Sequence, residues 1–279
     1  MTLNDSKKIM VVVTHGLYEP WLSILRDGQE KTWLKQQAPD NVKIYHFHST
    51  PIGKIGQNLD RLHERLRWKN RYTAVVLRFF DRTIMFPYKS FIPYSSPSKL
   101  LNSIPNAFHI KFPDSYMHMK WKDLAIIKYF VEKTSCDYLF GTTTSSYVNL
   151  NRLQFEVEKV PKNDVYAGAR AYVGANFAAG NNRLISRDVA MKILENRREM
   201  DVGAIEDVAI GNLMKLLNVQ FIELPSLNID SISHLSSISD LELLQNFHFR
   251  MKNGPLKDRG DVPIMLALNR RLREIGVLF

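Results

Sequence analysis

Short apolar runs alternate with amphipathic stretches along most of this chain, and that alternation limits the possible folds more than any other feature. Strand-like runs lie at Lys8–Thr14, Val42–His48, Tyr72–Leu77, Ala107–Lys111, Tyr138–Gly141, Arg183–Ser186 and Val219–Leu224. Helical spacing predicts helices at Pro20–Gln37, Gln57–Asn70, Met119–Thr134, Arg187–Arg198 and Ile205–Leu217. In the third of these, Trp121, Leu124, Ile127, Lys128 and Val131 share one face, as a helix docked on a sheet requires. Strands interleaved with helices predict an α/β fold: a Rossmann-like, mostly parallel sheet flanked by helices, in a single domain. Phe86–Pro105 and Ser226–Ser239 read as long loops on that domain.

With 279 residues, 45% of them hydrophobic and 11% aromatic, the chain can bury a sizeable core and is no disordered tail. Its one cysteine, Cys136, excludes an internal disulfide framework and suits a reducing compartment. The apolar run Ile9–Val13 is too short for a signal segment or a membrane span, so the expected location is the cytoplasm. The net charge of +10 concentrates in Lys54–Arg71 and Arg250–Arg273. Nucleic acid, an anionic membrane surface and a phosphate-bearing substrate all fit that charge, as does a solvated helix face. No helix-turn-helix, RNA-recognition or zinc-finger pattern accompanies it, so no nucleic-acid partner is expected.

In open α/β sheets, ligands bind beyond the carboxyl ends of the strands. That rule selects Thr14, His15 and Gly16 after the first run, and the hydroxyl-rich strand end Phe140–Asn149 with Thr143, Thr144 and Ser145. It also selects the turn before Glu206 and Asp207, two acids that could equally serve only to favour a helix dipole from its first turn. The segment around His248 alternates His248, Arg250 and Lys252 with Phe247, Phe249 and Met251. An extended chain there would anchor one face and offer a basic one, with Lys257 and Arg259 beyond. Arg26 could pair with a phosphate from the first helix. His46 and His48 alternate on a strand but lack further ligands at metal-site spacing.

Four segments follow one another in a specific order: Arg26 to Trp33, then Asp114–Tyr116 with Lys122, then Phe140–Asn149, then Glu206–Gly211. This series resembles the β-1,3-galactosyltransferase and Fringe family of inverting glycosyltransferases over roughly residues 9–220. That family reads R-x-x-I-R-x-T-W, D-S-Y-x-N-L-T-x-K-T, D-D-D-x-F-V-N, a small-residue strand, and E-D-V-x-x-G. The small-residue strand corresponds to Phe177–Asn181.

The resemblance implies a GT-A fold, a UDP-sugar donor and transfer of a hexose, galactose or a related sugar, to a glycan hydroxyl. It implies Asp207 as the base, with Glu206 beside it. Together with the strand-end and basic-segment readings above, it makes Thr14, His15, Gly16, Arg26, Asp114, Lys122, Thr143, Thr144, Ser145, His248, Arg250, Lys252 and Arg259 the expected donor contacts. Gly180 and Asn181 would meet the acceptor. Residues 1–150 would form the nucleotide-sugar half, 151–245 the acceptor and catalytic half, and 246–279 a basic segment closing the donor site.

One departure stands out. The family's metal-binding aspartates are replaced by Thr143, Thr144 and Ser145, and hydroxyls are poor ligands for Mg²⁺ or Mn²⁺. The expectation is therefore a metal-independent enzyme with no cofactor, in which Arg and Lys take the metal's place on the diphosphate. It would work in surface-polysaccharide synthesis, on a glycan or lipid-linked acceptor, with peripheral contact to an anionic membrane. An inactive nucleotide-sugar-binding relative and a basic nucleic-acid-binding protein are the alternatives.

Overall fold

The apolar run after Lys8 forms β1 (Ile9–His15), which lies mid-sheet with every residue from Ile9 to Val13 buried. A computed structural model describes residues 6–69, 71–101, 103–251 and 259–276. β1 pairs in parallel with β2 (Val42–Thr50) on one side and β5 (Tyr138–Thr143) on the other. Beyond β2 come β4 (Ala107–Pro113), parallel, and β3 (Ser95–Pro97), antiparallel. Beyond β5 come β8 (Ala178–Ser186), antiparallel, then β7 (Tyr166–Arg170) and β9 (Phe221–Glu223). The eight strands run in the order β3-β4-β2-β1-β5-β8-β7-β9, a mostly parallel sheet with helices packed on it. β6 (Ser146–Val148), β10 (Ser226–Ile229) and β11 (His248–Met251) form a second, three-stranded sheet.

Among the described residues the longer helices are α1 (Gly53–Lys69), α2 (Arg71–Met85), α3 (Met119–Lys133), α4 (Leu150–Lys159), α5 (Arg187–Glu195), α6 (Glu206–Leu216) and α7 (Asp261–Glu274). α3 is buried along Lys120–Ile127, because it lies between the sheet and α5 and α6. Two apolar clusters occupy the two faces of the sheet. One joins β1, β5 and α4 to α7; the other joins β1 to α3, α5 and α6. Cys136 is buried in the second and has no disulfide partner.

Two sequence expectations give way. Tyr72–Leu77 is not a strand but part of α2. Its apolar residues recur through Val75, Val76, Phe79, Phe80 and Ile84 at helical spacing, and that longer period outweighs the local β-branched run. Pro20–Gln37 is not one helix. It breaks into a helical turn (Trp21–Ser23), a π-helical turn (Ile24–Gln29) and a 3-10 turn (Trp33–Lys35). The break brings buried Gln29 inward, where its Nε2 donates to the carbonyls of Thr143 (3.1 Å) and Ser146 (2.9 Å). Trp33 Nε1 donates to the Ser146 carbonyl as well (3.1 Å), so this irregular segment fixes the turn after β5. The two regions read as loops contain β3 and β10.

Candidate active site

Where β1 and β5 end, a cleft of about 480 Å³ opens between the sheet, the start of α6 and the inner side of α1. Fourteen of the seventeen residues selected from sequence line it: Thr14, His15, Gly16, Asp114, Lys122, Thr143, Thr144, Ser145, Gly180, Asn181, Glu206, Asp207, Arg250 and Arg259. The cleft thus draws on all three parts of the chain distinguished above. Two of the remaining three lie elsewhere, and Lys252 falls outside the described residues. Arg26 points to solvent, 67% exposed, and pairs with neighbouring Asp27 at 3.1 Å. It sits on the outer side of the π-helical turn, whose inner side carries Gln29. His248 is fully buried behind the cleft floor, with Nδ1 2.8 Å from Ser226 Oγ. Burial, then the charge of Arg250, pushes its pKa down to about 3, so it is a neutral core histidine.

The acid end of the cleft is built on α6 and β8. Glu206 and Asp207 begin α6. Glu206 and Asp123 of α3 both accept hydrogen bonds from Arg183, which sits in the middle of β8. All three groups are nearly fully buried, with side-chain exposures of 8 to 12%. One guanidinium cannot neutralise two buried carboxylates. Burial, then the charge of Glu206, raises Asp123 well above the usual carboxylate range. Burial also opposes ionisation of Glu206, but the Arg183 charge and hydrogen bonds with Asp123 and Arg183 hold it low. We read the triad as Arg183⁺, Glu206⁻ and a protonated Asp123, which leaves it neutral. Gly180 makes room for it: a Cβ there would lie 2.2 Å from Glu206 Oε2.

Asp207 stands outside that triad and is partly buried on the cleft. Burial, then the charge of Glu206, pushes its pKa up to about 6. A carboxyl poised there accepts a proton near neutral pH.

The cationic end comes from the C-terminal segment. The apolar residues Phe247, Phe249 and Met251 lock β11 into the core, and Arg250 emerges on the cleft between them. Among the described residues, no carboxylate is ion-paired with Arg250. Burial, then the charge of Arg259, disfavours its charged form. Arg259 is held by both oxygens of buried Asp261 (2.8 and 2.7 Å) and lies over the Trp21 ring. Two guanidiniums that repel each other on one cleft wall would both be relieved by an anion placed against them.

His15 supplies the third feature. Both of its ring nitrogens are buried without a hydrogen-bond partner, although it lines the cleft. Burial, then neighbouring His46, His48 and Lys122, keeps it neutral. The Asp114–Lys122 pair (2.6 Å) closes this side and leaves Asp114 Oδ2 without a partner. Polar ligand atoms would satisfy both groups.

The hydroxyl turn offers no carboxylate to a divalent cation: Thr143, Thr144 and Ser145 carry hydroxyls, one oxygen of Asp114 is taken by Lys122, and among the described residues no three His, Cys, Asp or Glu side chains converge as ligands. Sequence reasoning missed Arg183, Asp123, Gln29 and the wall residues Tyr18, Trp21, Asp60 and Arg61. An arginine between Asn182 and the apolar pair Leu184–Ile185 of β8 was the available signal for the first, since a charge buried there needs a partner.

No protein-family profile matches the chain, and no curated protein matches it in sequence. Several solved structures are similar to it over most of its length. One is a glycosyltransferase involved in glycosylation of the major capsid of PBCV-1, 9% identical over 93% of this chain and 98% of that one, with a TM-score of 0.43. Mouse xyloside xylosyltransferase 1 is 9% identical over 88% and 97%, with a TM-score of 0.40. The glycosyltransferase GlyE of Streptococcus pneumoniae is 11% identical over 99% of this chain and 65% of its own, with a TM-score of 0.44. Among the described residues no helix is long and apolar enough to cross a membrane.

Proposed function

We propose that the cleft binds a nucleotide-sugar and transfers its sugar to an acceptor hydroxyl with inversion at the anomeric carbon. The observation that carries this reading is the placement of a carboxylate with a pKa near 6, Asp207, in the same cleft as the guanidinium of Arg250, which pairs with no carboxylate among the described residues. In the proposed step the acceptor oxygen attacks the anomeric carbon and gives its proton to the Asp207 carboxylate. The bond from that carbon to the diphosphate oxygen breaks, and the nucleoside diphosphate leaves with the electron pair, held by Arg250 and Arg259. A single in-line displacement needs only one base. Asp207, raised to about 6 and outside the Arg183 triad, is the base we assign; Asp60, also raised by burial, accepts from the Tyr116 backbone N–H. His15 and Asp114 are assigned to polar atoms of the donor, and Gly180 and Asn181 to the acceptor side next to Asp207. UDP and a hexose are the donor parts we favour, with a glycan or lipid-linked glycan as acceptor in surface-polysaccharide synthesis. Residues 1–150, 151–245 and 246–279 would serve as donor half, catalytic half and closing segment of a single domain.

A thermal-shift series with nucleotides and nucleotide sugars tests the reading. UDP or a UDP-sugar should raise the melting temperature, and the shift and any transfer should survive EDTA, because the turn after β5 carries Thr143, Thr144 and Ser145 in place of carboxylates. A strict metal requirement restored by Mn²⁺ would overturn metal independence; no shift with any nucleotide would overturn the donor site.

Arg250→Ala should weaken UDP about 10- to 150-fold and uridine far less, since losing a charged hydrogen-bond partner costs roughly 1.5–3 kcal/mol. Competition binding with both ligands checks it. Equal losses for the two would remove Arg250 from the diphosphate.

A further inference from the structure

The helical hairpin α1–α2 carries a surface that the cleft chemistry does not use. Residues 53–100 contain ten Lys and Arg against three Asp and Glu, most of the chain's positive excess. They also carry more than half of the large apolar side chains exposed among the described residues. On α2, Tyr72, Val75, Val76, Phe79, Phe80 and Ile84 recur on one broad face, and all are exposed, Tyr72 by 85% and Phe79 by 69%. On α1, Ile55, Leu59 and Leu62 recur at helical spacing and are exposed as well, Ile55 by 79%.

The polar groups do the opposite of what a solvated hairpin requires. Asp81 is buried, with an oxygen 2.9 Å from His63 Nε2. Arg82 holds Asp201 with two hydrogen bonds (3.0 and 2.8 Å). Asp60 accepts from the Tyr116 backbone N–H (2.8 Å) and faces the cleft. The hairpin is therefore tied to the body through polar contacts, while aromatic and aliphatic groups face outward among the exposed bases Lys54, Arg65, Lys69 and Arg78. A soluble monomer rarely leaves so continuous an apolar face uncovered.

We infer that this α1–α2 face docks on the surface of an anionic phospholipid bilayer. Charge complementarity selects the occupant. Apolar side chains entering the headgroup boundary and bases around them are the two signals that together hold a protein at such a surface. A second copy of this chain would bring bases against bases. The inner side of the same hairpin, at Gln57, Asp60 and Arg61, lines the cleft, so docking sets the cleft beside the bilayer. A lipid-linked acceptor would then be within reach; that consequence alone rests on the sugar-transfer reading.

Flotation with vesicles tests the docking without donor or acceptor. The protein should float with phosphatidylcholine vesicles containing about 30 mol % phosphatidylserine, bind them at least tenfold more strongly than pure phosphatidylcholine, and lose part of that binding in high salt. Phe79→Ser/Phe80→Ser and Lys54→Glu/Arg65→Glu/Lys69→Glu change exposed positions only. Each should reduce partitioning about tenfold or more while the thermal transition stays in place. Absence of flotation, or flotation undiminished in both variants, would overturn the inference. So would a stable dimer that the phenylalanine variant dissociates and that does not float.

Discussion

Asp207→Asn should cut sugar transfer by at least ~10²-fold, the usual scale of a general base, and leave nucleotide affinity nearly unchanged. Asparagine keeps the size and part of the hydrogen bonding of the side chain but cannot take the acceptor's proton. The same assignment fixes a pH dependence. Burial and Glu206 raise the Asp207 pKa to about 6, so its reactive, deprotonated form is lost as pH falls through that value. The wild-type rate should fall tenfold per unit below about pH 6 and level off above it, and the residual rate of the asparagine variant should lack that inflection. Single-turnover rates across pH 5 to 8 with about saturating donor read both. A variant with more than half the wild-type rate would exclude Asp207 as the base.

Arg183→Met should destabilise the fold by about 3–5 kcal/mol at pH 7.5, because it strands the buried Glu206 carboxylate, beside protonated Asp123, without its counter-charge. The loss should be smaller at pH 5. Without Arg183, burial raises the pKa of the stranded carboxyl above its unfolded value, so the folded variant binds an extra proton. Such a group stabilises at low pH, and that stability disappears as pH rises through the folded pKa. Denaturant unfolding at the two pH values measures it. Adding Glu206→Gln to Arg183→Met should recover part of the stability, since the second change removes the charge left behind. A single variant that loses under about 1 kcal/mol, or one equally weakened at both pH values, would mean that the triad is solvated or carries no net ion pair.

The difference between the two carboxylates of α6 is the clearest example of what sequence could and could not give. Two adjacent acids at a helix start are visible in the chain, and so is their match to a base-carrying motif. Which acid is free to accept a proton depends on Arg183, 23 residues upstream, and on Asp123, 60 residues before that arginine. No local pattern joins the three. The basic tail divides the same way. Alternation in Phe247–Met251 foretold one anchored face and one polar face, and Arg250 does reach the cleft. His248 occupies the alternating position too, yet β11 lies between β6 and β10, so a residue on its polar side can still be enclosed.

Failures of the local reading have a common source. Tyr72–Leu77 looked like a strand because six residues cannot separate a β-branched run from part of a longer helical period. Pro20–Gln37 looked like one helix because its spacing is regular until Gln29 must turn inward to hold the carbonyls after β5. Arg26 was assigned to phosphate because its motif match carries no information about which way the broken helix faces.

The sequence by itself determined the α/β class, the order of the central strands and helices along the chain, and the strand ends where cleft-lining residues gather. Those properties follow from periodicity and from short-range backbone rules, which are local in the chain. Tertiary structure alone decided that Asp207 stands free while Glu206 is bound, that Arg250 and Arg259 share a wall, and that the α1–α2 hairpin turns its apolar face outward. Each depends on burial and charge summed over segments distant in sequence, because a buried group's protonation and exposure are set by whatever the fold packs against it.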